Sequence, residues 1–194
     1  MFSILSGFQS KNKTVQGHSK AVTINLYFED VTLKSCPYCS IQLGSIEIGG
    51  RERLACSTCD FVHWNNPKPV TATVIPLDGG IVLVKRGVEP FVNDWCLPGG
   101  FIEAAEHPAE SACREVYEET GLEVRVSRLL DAGAPGRGIN VVILFYEAHP
   151  TGGKLSAGDD AIDVRSFKQH ELPPNIAFDL HRQIIQSWFR QAQN

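Results

Sequence analysis

Glu115, Glu118 and Glu119 put three carboxylates into five consecutive positions of a 194-residue chain. On a helix, residues three and four apart share a face, so these acids would point into one small volume. Like charges at that spacing cost about 0.2–0.5 kcal/mol per pair in an isolated helix, which calls for a compensating cation. Magnesium suits the position, because it takes oxygen ligands, keeps several waters and is commonly shared between carboxylates and substrate phosphates. An ion held there would lower the pKa of a bound water and spread the charge developing on a leaving phosphate. Arg114, one turn before Glu118, stands where it can hold one carboxylate, while Ala112 and Val116 fall on the face turned toward the sheet. The plainer reading is a solvated acidic helix face. It leaves Gly99 and Gly100 without a purpose, whereas a ligand site uses glycines to let backbone come close.

A second set of residues has metal-binding spacing. Cys36-Pro37-Tyr38-Cys39 and Cys56-Ser57-Thr58-Cys59 are two pairs separated by 16 residues, which brings four thiolates to one tetrahedral zinc. Disulfides are the alternative, and the absence of any secretory signal disfavours them. A closed four-cysteine site is structural: zinc supplies folding energy that so short a segment cannot draw from an apolar core. Cys96 and Cys113 lack such a pattern.

From Gly100 onward the pattern runs through five residues to Glu106, then seven residues to Arg114-Glu115-Val116, Glu118-Glu119 and Gly121-Leu122. This resembles the Nudix box at every defining position. The resemblance implies an α/β fold, the Nudix α/β/α sandwich, with the box as a loop–helix–loop. It also implies that Glu115 and Glu119 are ligands of magnesium or manganese, and that Glu118 is a ligand or orients water. The Gly100 carbonyl is a further implied ligand, and Glu103 joins the same network. Family members cleave a nucleoside diphosphate linked to another moiety, so the implied partner is a small nucleotide. "SAGDDAIDVRSF" supplies Asp159, Asp160 and Asp163 on a loop and strand where related enzymes place an acidic base; Asp160 is the favoured base.

The cysteine pairs beside Asp60-Phe61-Val62-His63-Trp64-Asn65-Asn66-Pro67-Lys68 are similar to the zinc-ribbon subgroup of that family. NADH pyrophosphatases of the subgroup carry a "SQPWPFPxS" array after the box, and none follows Leu122. The resemblance therefore points to the shorter ADP-ribose or FAD type, giving AMP and the other monophosphate. NADH cleavage and removal of oxidised nucleoside triphosphates keep the chemistry and change the substrate. A rival of another class is a nucleotide-sensing module whose ribbon contacts nucleic acid or protein; the complete box and the scarcity of basic residues in the ribbon speak against it. The family's habit implies a homodimer.

Three further residues are candidates for substrate contact. Arg86 closes a strand and has paired donors for a diphosphate. Phe178 and His181 lie in a C-terminal helical segment and offer rings for an adenine or flavin, although aromatic residues at such positions more often belong to the core.

The elements that position these groups follow from patterning. "VTATVIPL" and "GGIVLVKRG" read as strands joined by Asp78-Gly79-Gly80, Pro108 and Gly121 bound the glutamate helix, and "LEVRVSRLLDAG" and "INVVILFYEAHP" read as two more strands with a turn at Pro135-Gly136. Ala177, Leu180, Ile184 and Trp188 are spaced as one face of a last helix. "NNPKP" reads as a connector, because prolines deny ladder bonds. Three segments result: an extension over 1–33 in which "AVTINLYFED" alternates like a strand, a ribbon over 34–66, and the main domain over 67–194. The net charge of −4 argues against a protein that coats nucleic acid. No apolar run approaches the roughly 20 residues of a membrane span, and "MFSILSGF" is no secretory signal, so the expected location is the cytoplasm.

Overall fold

A computed structural model of the chain describes residues 33–136 and 139–192. The strand expected over "AVTINLYFED" and nearly all of the 1–33 extension lie outside the described residues. The chain divides into two compact units at Asn66–Pro67. No described helix is long and apolar enough to cross a membrane.

The first unit is a three-stranded antiparallel sheet, β1 (Gly44–Ile48), β2 (Arg51–Ala55) and β3 (Val62–His63). Gly49 and Gly50, at φ 59° and 72°, make the tight turn between β1 and β2, the two-residue hairpin geometry that glycine adopts without strain. Among the described residues its buried apolar side chains are few: Cys36, Leu43 and Ala55. Tyr38 meets Phe61 edge to face, and the Arg53 guanidinium lies over Trp64.

The second unit runs β4 (Lys68–Val74), β5 (Pro76–Leu77), β6 (Gly80–Arg86), β7 (Trp95–Cys96), α1 (Pro108–Thr120), β8 (Leu122–Gly133), β9 (Val141–Gly153), β10 (Ala161–Phe167), a 3-10 turn (Gln169–Glu171) and α2 (Asp179–Ala192). One sheet has the order β4-β9-β8, with β4 parallel to β9; the other has the order β10-β6-β5, with β7 also on β6. β6 is apolar on both sides, as a strand covered on both faces should be. Its Ile81 and Leu83 join Ala72, Val74 and Phe145 beneath Ile184, Ile185 and Phe189 of α2. Its Val82 points the other way and packs with Ile75, Leu122 and Val116 of α1. Helices therefore cover opposite sides of the sheets, in the α/β/α layering the resemblance implies.

Asp78 and Gly79, at φ 52° and 76°, form the β5–β6 turn where the sequence places it. Three expectations are corrected. The strand read across "VTATVIPL" breaks at Ile75, since Pro76 has no N–H to continue a ladder. Pro69, read as part of a connector, lies inside β4 opposite Val142; at a strand's start a missing donor is tolerated, and its carbonyl still accepts from Ile102. The last helix starts at Asp179, so Ala177 precedes it, and its buried face is His181, Ile184, Ile185 and Phe189.

Candidate active site

The box helix is fixed at both ends by its own sequence. His107 caps it, with Nδ1 accepting from the Ala109 N–H at 3.2 Å, and Pro108 follows at the first turn, where its missing donor costs nothing. At the other end Gly121 takes φ 71°, and its N–H donates to the Tyr117 carbonyl. The face turned inward carries Ser111, Ala112, Val116 and Thr120, all fully buried. This phase brings Glu115 and Glu119 down with them, to 3% and 5% exposure. Glu118, one step around, keeps about a third of its side chain in solvent.

Two buried carboxylates on one helix must be held by donors, and the preceding loop supplies them. The Gly99 N–H donates to Glu119 Oε2 at 2.9 Å. Gly100 stands against Glu115 so closely that a Cβ there would sit 2.6 Å from the carboxylate and would displace it. The loop is itself laced to β4: Thr71 N–H donates to Gly100 O, Thr73 N–H to Pro98 O, and Ile102 N–H to Pro69 O. The Gly100 carbonyl, implied as a metal ligand, thus already accepts one bond and has its second lone pair left.

Arg114 does more than hold one acid. Its guanidinium takes both oxygens of Glu106, at 2.7 and 2.8 Å, and also donates to Glu115 at 2.8 Å, Glu118 at 3.2 Å and the Phe101 carbonyl. The bond from Arg114 holds the Glu106 carboxyl down to about 2, and the same bond, with Glu115 next, raises the arginine above its usual range. Glu106 is the site residue that spacing on a helix does not expose: it lies eight residues before its partner, in the loop, and only the box pattern points to it.

The sequence expectation that Glu115, Glu118 and Glu119 share one small volume is corrected in degree. Among the described residues, the four cysteines are the one such group whose ligand atoms all lie within 4.8 Å of one another. Glu119 is held by the Gly99 N–H, whereas Glu115 and Glu118 share one nitrogen of Arg114. The donor set still fits a hard divalent ion. All the offered atoms are oxygens, and one arginine pairs with three carboxylates, those of Glu106, Glu115 and Glu118, while Glu119 accepts from the Gly99 N–H. Glu103 is exposed, and its N–H donates to Glu106 Oε2.

Segment 156–161 returns to the end of α1, where Gly158 N–H donates to the Glu119 carbonyl and Ala161 N–H to Gly158. Asp160 is there, 7% exposed, its own carbonyl accepting from Gly87 N–H. Asp163 is separate: it pairs with Arg165 at 2.6 Å and accepts from Val164 N–H.

The three substrate-contact candidates are neighbours. Arg86 donates from Nε to the Pro90 carbonyl at 2.8 Å and lies 5.1 Å from the Phe178 ring, so its guanidinium is occupied with its own loop. His181 is a core residue at 6% exposure, packed against Phe145 and Phe178, with Nδ1 accepting from Leu97 N–H. Burial, and then the charge of Arg86, push it down to about 3, so it stays neutral. A ring enclosed in this way has no open face for a base. Phe178 is half-buried beside it.

In the first unit, Cys36 Sγ lies 3.5 Å from Cys59, and Cys39 Sγ lies 3.4 Å from Cys56 and 3.9 Å from Cys59. A tetrahedral zinc with Zn–S of about 2.3 Å would set its sulfurs about 3.8 Å apart, so the four thiols fit that ion. The Thr58 amide leads the donors that draw Cys56 down to about 6, while Cys59, despite the Phe61 amide, is pushed up to about 12 by its neighbours, Cys36 foremost. Four adjacent thiols cannot all carry charge without a cation among them.

Comparison with known proteins agrees with the box. A model of the NUDIX domain matches residues 67–188. The chain is 38% identical over 128 residues to an ADP-ribose pyrophosphatase of Methanocaldococcus jannaschii, covering 64% of this chain and 75% of that one. It is 36% identical over 109 residues to a MutT-like protein of Streptomyces ambofaciens, covering 56% and 68%. The crystal structure of a NUDIX hydrolase from Nitrosomonas europaea superposes with a TM-score of 0.76 at 25% identity, over 83% of this chain and 93% of the other.

Proposed function

This chain belongs to the Nudix hydrolase family, and from that premise we propose that it hydrolyses the diphosphate of an ADP-linked compound, ADP-ribose first, giving AMP and the second monophosphate. The observation that carries the reading is the pairing of two buried box carboxylates with two glycines, Glu119 on the Gly99 N–H and Glu115 against Gly100. Carboxylates buried at such cost and fixed by backbone are groups kept for a cation and a phosphate.

Glu115, Glu118 and Glu119, with the Gly100 carbonyl and Glu103, would hold magnesium or manganese. When bound, that ion neutralises the diphosphate and acidifies water. The chain's own part is positional. Gly99 N–H keeps Glu119 in one rotamer, and Arg114 keeps Glu115 and the loop together through Glu106. Glu118, the most exposed of the three, would orient the attacking water. Asp160, on the turn bonded to the end of the same helix, is the base that takes its proton. The four cysteines would hold a structural zinc, and reduced thiols suit a cytoplasmic setting.

The test is to incubate the purified chain with ADP-ribose, FAD and NADH in magnesium or manganese and to identify products. AMP from ADP-ribose is expected. AMP from NADH or FAD alone would move the substrate within the family, and nucleotide binding with no turnover on any of them would favour a sensor.

A further inference from the structure

Residues 87–94 connect β6 to β7 and leave two apolar side chains in solvent, Phe91 at 48% exposure and Val92 at 39%. Phe91 also takes φ 65°, a left-handed conformation uncommon for a bulky side chain. Its ring is nonetheless held in place. It meets Phe178 edge to face, with centroids 5.4 Å apart, and the Arg86 guanidinium lies over Phe178 while donating to the carbonyls of Val88, Glu89 and Pro90. An exposed aromatic ring fixed by a second ring and a spanning arginine is a prepared surface.

That surface adjoins the box. Gly158 N–H bonds to the Glu119 carbonyl, Ala161 N–H to Gly158, and Gly87 N–H to Asp160 at 2.7 Å, so a short run of backbone bonds leads from the glutamates to residues 87–94. The patch is small, and Glu89, Asn93 and Asp94 border it, which is far less than the area two protein surfaces bury on stable association. One planar ring fits it, since any nucleobase offers a π-face to an aromatic side chain.

We propose that Phe91, backed by Phe178, is the platform on which the nucleobase of the substrate stacks, which makes residues 87–94 the base-binding segment. This rests on the nucleotide reading above and adds to it where the base lies. Phe91 carries no partner whose loss would leave a buried polar group, so Phe91→Ala folds.

The experiment is titration calorimetry on the full chain in magnesium, with AMP and separately with ribose 5-phosphate. For Phe91→Ala we expect AMP to bind about tenfold more weakly and ribose 5-phosphate to bind as it does to the unaltered chain, with Phe91→Tyr restoring AMP affinity. Equal weakening of both ligands, unchanged AMP affinity, or no AMP binding by the unaltered chain overturns the proposal. Unchanged AMP affinity with a smaller particle in light scattering would instead give Phe91 and Val92 to a contact between copies. AMP binding that obeys the prediction in a chain that cleaves none of the three substrates would sink the hydrolytic reading and leave this one standing.

Discussion

At the scale of single residues, the acids of the box are not equivalent. Glu119 accepts from Gly99 N–H and is almost fully buried, whereas Glu118 reaches solvent. Glu119→Gln keeps an oxygen for that N–H and removes the charge, so its thermal midpoint should stay near that of the unaltered chain. Its kcat on ADP-ribose should fall by about 10²–10³, read by AMP release. A fall of less than tenfold would remove Glu119 from the reaction. The sequence made these glutamates visible because carboxylate repulsion at helical spacing is a local property of the chain. Arg114 was legible only in part, since its strongest partner, Glu106, comes from a loop whose path no periodicity describes.

At the scale of elements, α2 buries a wider face than apolar spacing outlines. Leu180, Ile184 and Trp188 pack on the core as that spacing implies, and the most buried stripe adds His181, Ile185 and Phe189, because a neutral imidazole that accepts from Leu97 N–H is as good a core residue as a leucine. The pairing has a pH signature. His181 titrates near 3 in the folded chain and near 6.5 when unfolded. Between those values the unfolded chain binds a proton that the folded chain refuses, so this contribution to stability is complete above about pH 6.5 and is lost as pH falls toward 3. Urea midpoints should therefore drop between pH 7.5 and pH 5. His181→Gln, which keeps an acceptor and cannot take the proton, should show a shallower drop. The strands and the box helix were legible because turn residues and caps mark their ends: Asp78-Gly79, Pro108 and Gly121 all stand where the sequence places them.

At the scale of the whole molecule, the two units differ in how much apolar surface they bury. The second has apolar clusters on both sides of its sheets, while among the described residues the first buries few apolar side chains, Cys36, Leu43 and Ala55, so its stability is expected to come from a metal on its four thiols. Elemental analysis should find about one zinc per chain, and Cys56→Ser should lose most of it. Full occupancy in that variant would show that the four sulfurs do not act together. The pairing of β4 carries a consequence for how the hydrolytic site comes into being. β4 bonds the box loop through Thr71 and Thr73 and runs parallel to β9 from Lys68 opposite Val141 to Val74 opposite Glu147. The segment from Gly99 to Leu122 therefore contains every acid of the box and still lacks the frame that aims them. Grafted alone onto another scaffold it would be a charged helix with a slack leader, because its shape is borrowed from chain that is synthesised both before and after it.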